Sequence, residues 1–326
     1  MLGRVVLGGL VAGLAVLVAM VRNAGGVDEF AYSLFPYISS TYFQAFGSYY
    51  VRAYTCHVLP ALRRAGAVAP AVNCSSERGA LNVIVTGAKG GTVLAARSAI
   101  EIAATCGWCG AIGMREHGRW PPCQESMPTF KGDVLLAIAN AQSWPAYARE
   151  HGGTVRCAVF TRDPATRFKS LFQYALDGSE YDLREPARAL QALLPDYDKA
   201  LAAMWESMGR ETMRESHKVL MQSLAHPGCV QIKYELFERD FDAAAEQWAR
   251  AWHILPAARD AVVKSVQKHD VKRKSVEALA REHHVSGTKL SAEDKRRLEA
   301  ALAAHAEVQA VVAAQRRDLG YRVPYS

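Results

Sequence analysis

From residue 80 onward the chain alternates two patterns of apolar residues. Short continuous apolar runs, rich in β-branched residues, occur at 81–86 (LNVIVT), 133–139 (DVLLAIA), 154–160 (TVRCAVF) and 229–234 (CVQIKY). Runs without polar alternation suit strands buried on both faces, as in a parallel sheet. Between them, apolar residues recur every three or four positions, which predicts helices near 92–105, 143–152 and 164–176, through 186–224, and over 235–254. A basic, broken segment occupies 264–289. A closing helix then starts at Ser291 as N-cap, with Asp294 three residues on, and stops at Gly320. Strands alternating with helices predict an α/β fold, a mainly parallel sheet flanked by helices on both faces.

Ahead of this body the pattern changes. Val5 to Val21 holds only Val, Leu, Gly, Ala and Met, between Arg4 and Arg22. That is at the short end of what crosses a bilayer, about 17–25 residues. A signal anchor is the reading taken. A cleaved signal peptide competes with it, but Arg22 stands where a small residue should precede the cleavage site. The lysine and arginine balance leans to a cytoplasmic N-terminus, with the body in the lumen. Residues 1–24 are thus read as a short tail and signal-anchor helix, 25–79 as an aromatic-rich connector, and 80–326 as the catalytic domain. Within the connector, 63–79 (RRAGAVAPAVNCSSERG) has no periodicity and reads as linker.

With 326 residues, half of them hydrophobic, the chain can fill one large core plus an appendage. The net charge of +7 and a pI near 9.0 fit an acidic ligand or an anionic surface without naming either. No nucleic-acid-binding signature accompanies that charge, so nucleic acid is not expected as a partner. Seven cysteines are available for disulfides in an oxidising lumen, and with an odd number at least one has no intrachain partner. Cys106 and Cys109 form a lone CxxC (CGWC), which without a second pair or spaced histidines is weak evidence for a metal. Asn73 begins the single N-glycosylation sequon, NCS.

Two motifs carry chemistry. The first strand runs into GAKGGT, and a helix follows. Strand, Gly-rich turn and helix gather backbone N–H groups and a helix N-terminus around one point, where an anion is favoured. Gly90 and Gly91 permit close approach, and Lys89 adds a full charge. A Walker A loop would place the lysine after the last glycine with a hydroxyl beside it, and here the order is reversed. The second motif is RDPATRFKS (162–170). Arg162 follows a strand, Asp163 is placed as N-cap, Pro164 as the first helical residue, and Ser170 lies under two turns into the helix. In a parallel sheet Arg162 shares the carboxyl edge with Lys89, where open α/β sheets bind ligands.

Taken together, AKGGT and RDPATRFKS resemble the sulfotransferase superfamily. Their wording is nearest to Golgi carbohydrate sulfotransferases of the heparan sulfate 3-O and N-sulfotransferase kind. IKYELFERD (232–240) is similar to that family's Y-E-x-L element, and 283–302 is similar, more loosely, to tails of some members. The resemblance implies a P-loop-like sulfotransferase fold. It also implies sulfuryl transfer from 3′-phosphoadenosine 5′-phosphosulfate (PAPS) to a hydroxyl or amine, without a metal, on an acceptor that the basic balance tips towards a glycan. Lys89 would bind the 5′-phosphosulfate, with the N–H groups of Gly90, Gly91 and Thr92 and the Thr92 hydroxyl completing the cradle. Arg162 and Ser170 would hold the 3′-phosphate. The basic stretch 268–275 would close over the nucleotide through one or more of Lys272, Arg273 and Lys274. The general base would come from the interval after the first helix, where MREHGRW offers Glu116, with His117 as rival and Glu125 as third choice. Asn140, Gln142 and Ser143 stand where cytosolic phenol and steroid enzymes carry a histidine. The competing functions are a P-loop nucleotide kinase-like phosphotransferase and an inactive protein of the same fold.

Overall fold

The structure is a computed structural model that describes residues 54–75, 77, 80–113, 134–138, 154–178, 183–275 and 290–322. Among the described residues, five strands form one sheet, every neighbouring pair parallel. They are β1 (Leu81–Thr86), β2 (Gly110–Gly113), β3 (Val134–Ile138), β4 (Val155–Thr161) and β5 (Cys229–Lys233), in the order β2-β3-β1-β4-β5. Sequence pattern predicts four of these. β2 is GAIG, and two glycines in four residues hide it from any apolar count.

The helices are α1 (Leu59–Arg64), α2 (Thr92–Cys106), α3 (Pro164–Asp177), α4 (Arg184–Gln191), α5 (Tyr197–Met204) and α6 (Arg210–Leu224). They continue with α7 (Tyr234–Arg239), α8 (Phe241–Ala251), α9 (Pro256–Val266), α10 (Ala292–Ala304) and α11 (Ala306–Asp318). Three predicted helices are divided. The stretch 186–224 breaks at a turn around Pro195 and carries a π-helical turn at Trp205–Gly209. The 235–254 helix breaks at Asp240, whose extended backbone lets its carboxylate accept the Ala243 N–H at 3.0 Å. The closing helix keeps its Ser291 cap but breaks at His305, whose ring caps α11. Each break sits at a residue able to cap the following helix or at proline, so local capping overrides the longer apolar rhythm.

Side chains of β1 alternate between two cores. Ile84 joins Ala158, Phe160 and Ile232 against α2, α8 and α9. Leu81, Val83 and Val85 join Cys157 and Val159 against α6 and Leu319. The first layer is aromatic: Phe160 meets Trp248 edge-on at 4.9 Å and Phe237 at 5.1 Å. Such pairs each contribute about 0.5–1.5 kcal/mol beyond the area they bury. A third core, from α3, α4, α5, α10 and α11, builds a helical annex around Trp205.

Three disulfides tie this frame together. Cys157–Cys229 joins residues directly paired across β4 and β5. Cys74–Cys106 and Cys56–Cys109 fasten the connector to the C-terminal end of α2 and the segment after it. The two cysteines of CGWC therefore pair with different partners and not with each other. No helix among the described residues is long and apolar enough to cross a membrane, and the anchor expected at Val5–Val21 lies outside them.

Candidate functional site: the β1–β4 switch point

From β1 the chain leaves through α2 towards β2 and β3, whereas from β4 it leaves towards β5 on the other side. The carboxyl ends of the adjacent strands β1 and β4 thus flank the topological switch point, where open α/β sheets bind ligands. Both sequence motifs end there.

The turn after β1 is held from inside. The Gly90 N–H donates to Gly87 O at 3.0 Å, and the Thr92 hydroxyl donates to the same oxygen at 3.3 Å. The Ala88 N–H donates to Ser216 Oγ on α6 at 3.1 Å. This alters the expected cradle: the Gly90 N–H and the Thr92 hydroxyl close the turn, while the N–H groups of Gly91, Thr92 and Val93 have no backbone acceptor among the described residues. These open α2 and point the helix N-terminus at the site. Lys89 adopts a left-handed φ of 57°, and its Nζ lies 2.7 Å from the centroid of the Tyr174 ring. Thr166, Ser170 and Tyr174 follow each other at single-turn spacing along one face of α3. Ser170, half-buried, therefore shares the face on which the Lys89 ammonium rests.

Arg162 reaches the loop from β4. Its Nη1 donates to Lys89 O at 3.4 Å, and its Nη2 meets Glu238 Oε1 at 3.3 Å. Its guanidinium stands 4.6 Å over the Tyr234 ring, and its buried Nε has no partner among the described residues. Glu238 is half-exposed, so this ion pair contributes little to stability and leaves Arg162 available to a stronger anion. Tyr234, the first residue of α7, connects the two motifs. A Cβ at Gly91 would fall 2.5 Å from its ring, and Gly91 also has a φ of +94°. Burial pushes the Tyr234 phenol above its ordinary range, so the ring stays neutral beneath the guanidinium. Gly91→Ala is accordingly expected to lose about 2 kcal/mol of unfolding free energy, through left-handed strain and displacement of Tyr234, read as a lower urea midpoint at unchanged slope.

Below Arg162, the α3 N-cap is a junction. Asp163 accepts the Thr166 N–H at 3.0 Å and both guanidinium arms of Arg316, at 2.7 and 3.0 Å. Its burial favours the neutral acid, but the Arg316 and Thr166 hydrogen bonds outweigh burial and hold the pKa below the usual carboxylate value. Glu235 accepts the Asp163 N–H at 2.7 Å and the Tyr321 hydroxyl at 3.0 Å. The end of α11 and the residues after it thereby brace the head of β4.

The basic stretch carries its own ion pairs. Arg273 is engaged by Asp242, at 2.8 Å, and Asp270, at 3.1 Å. Lys272 is exposed and Lys274 half-buried. His269 is buried, and burial together with Lys268, Arg97 and Lys274 depresses its pKa to about 3, so it is neutral at physiological pH. Glu116, His117 and Glu125 lie outside the described residues, as do Asn140, Gln142 and Ser143.

No protein-family model and no curated protein matches the chain. Among solved structures, the crystal structure of mouse sulfotransferase SULT7A1 complexed with PAP is similar at 13% identity and a TM-score of 0.44, over 75% of this chain and 90% of that one. A likeness of that degree identifies neither family nor activity. The motifs point to neither Tyr234 nor Arg316 as a site residue: Tyr234 lies within IKYELFERD, and nothing in the sequence near Arg316 indicates its partner.

Proposed function

We propose that this chain transfers a sulfuryl group from PAPS to a hydroxyl or amine of an acceptor, in the first instance a glycan. The observation that carries the reading is the meeting of two cationic elements on one tyrosine: the Lys89 turn and Arg162 share Tyr234 and are joined by the Arg162–Lys89 O hydrogen bond. A donor phosphorylated at both 5′ and 3′ positions needs two such elements, set apart by a sugar. The fit is chemical. N–H groups without a backbone acceptor among the described residues, with Lys89, would suit one anion, and Arg162, whose buried Nε has no partner among them, would suit another together with Ser170. The reversed order of lysine and glycines disfavours a triphosphate–magnesium loop.

PAPS supplies an activated sulfuryl group joined to its 5′-phosphate. Lys89 then stabilises charge on the leaving phosphate oxygen, and the start of α2 adds its dipole. Arg162 and Ser170 fix the 3′-phosphate and so the orientation of the donor. One or more of Lys272, Arg273 and Lys274 would contact the nucleotide; Arg273 is also paired with Asp242. Glu116 is assigned the proton of the acceptor hydroxyl, with His117 as rival, on sequence order alone. We place the body in the Golgi lumen, anchored by Val5–Val21. Three disulfides and an exposed Asn73 in its sequon support that compartment.

Adenosine 3′,5′-bisphosphate at about 100 times its Kd should stabilise the protein by about 2.7 kcal/mol, seen as a rise in Tm. ATP with Mg²⁺ should give a smaller rise. A larger rise with ATP and Mg²⁺, or none with the bisphosphate, would sink the assignment. Radiolabelled sulfuryl transfer from PAPS across glycan, peptide and lipid acceptors then identifies the acceptor class.

A further inference from the structure

Beneath the Lys89 turn lies a cation that the proposed chemistry has not used. Arg167, on α3, is 1% exposed. Its Nη2 donates to Gln315 Oε1 at 2.7 Å and to Met213 O at 3.4 Å, both neutral acceptors. Its Nε and Nη1 are buried with no partner among the described residues. Among the described residues no carboxylate forms an ion pair with it, because nearby Asp163 is committed to Arg316. Burial lowers its pKa to about 10, which still leaves it charged at neutral pH.

A buried charge without a counter-charge is costly, and proteins rarely hold one without a reason. The direction of the orphaned nitrogen supplies one here. Arg167 Nη1 lies 3.3 Å from where a Cβ of Gly87 would stand, so it abuts the first residue of the turn. The Gly87 carbonyl is the acceptor that closes that turn, through the Gly90 N–H and the Thr92 hydroxyl. The guanidinium is also rigidly held. Gln315 Nε2 donates to the same Met213 O at 3.0 Å, and Ser216, three residues on in α6, takes the Ala88 N–H.

We infer that Arg167 is a positioning residue for the anion in the Lys89 turn: it lies under the turn, holds Gly87 from below, and receives its missing counter-charge when the turn is occupied. This rests on the reading that the turn takes the 5′-phosphate end of the donor. Arg167 makes no contact with that phosphate. It acts through the backbone of the turn and through its field, which burial screens little from the anion.

The test compares two probes on the full chain, adenosine 3′,5′-bisphosphate and adenosine 3′-monophosphate. Their affinity ratio isolates the 5′-phosphate. In the wild-type protein the bisphosphate should bind more tightly. Arg167→Met should cut the ratio about 10-fold or more, leaving the monophosphate affinity within about 2-fold, and Arg167→Lys should restore part of it. Should Arg167→Met fail to fold, Arg167→Gln, which can still donate to Gln315, carries the same comparison. A fall in both affinities at constant ratio would make Arg167 merely structural and overturn the inference. Equal wild-type affinity for the two probes would instead overturn the assignment of the turn to a 5′-phosphate.

Discussion

Replacing Lys89 by asparagine should lower sulfuryl-transfer turnover by about 10²–10³-fold, the range seen when a group that stabilises transition-state charge is removed. Asparagine is the appropriate replacement because Lys89 sits at a φ of 57°, a left-handed conformation that asparagine tolerates better than most residues. The substitution removes the ammonium and its contact with Tyr174 while leaving the turn free to keep its shape. Turnover measured with the acceptor found for the wild-type protein, beside Tm, separates the two effects. Loss of turnover with Tm nearly unchanged is the expected pattern. Turnover within a few-fold of wild type would remove Lys89 from the reaction and leave the turn a structural feature.

The second large effect concerns stability. Removing the Cys157–Cys229 bond by the double substitution to alanine should destabilise the protein by about 4 kcal/mol on chain-entropy grounds, since the bond closes a loop of 72 residues. Cys157 is fully buried between strands, so the lost sulfur adds a packing cost. Urea unfolding of the variant against the wild type, with and without reductant, reads the effect. The reductant should weaken the wild type, with three disulfides, more than the variant, which keeps two. Unchanged stability would mean that the bond does not form in the folded protein. Free thiols at Cys157 and Cys229 by alkylation would also count against an oxidising compartment.

The parts of this architecture that were legible in the sequence are those governed by neighbours along the chain. β1 and β4 are apolar β-branched runs, and they coincide with the predicted strands to within a residue at either end. Asp163 and Pro164 start α3 as local capping rules require. The breaks at Asp240 and His305 follow the same rules, but apolar periodicity runs through them and hides them in the sequence. What could not be read is long-range. Tyr234 lies over Gly91 because β5 delivers it there, two strands from β1. Arg316 reaches Asp163 from the end of α11, and Arg167 turns inward under Gly87 although its spacing in RDPATRFKS is equally compatible with solvent. CGWC reads as a self-contained pair, yet each of its cysteines bonds to a residue in the connector.

The bracing of β4 has a consequence for how the protein is made. Asp163, Glu235 and Arg167 each bond to a group between Gln315 and Tyr321. During synthesis the described strands and both motifs, GAKGGT and RDPATRFKS, emerge before those residues. The nascent chain can form the Lys89 turn early, but the floor beneath it stays incomplete until residues 315–321 leave the ribosome. Under the proposed function, competence to hold the donor therefore waits on residues 315–321.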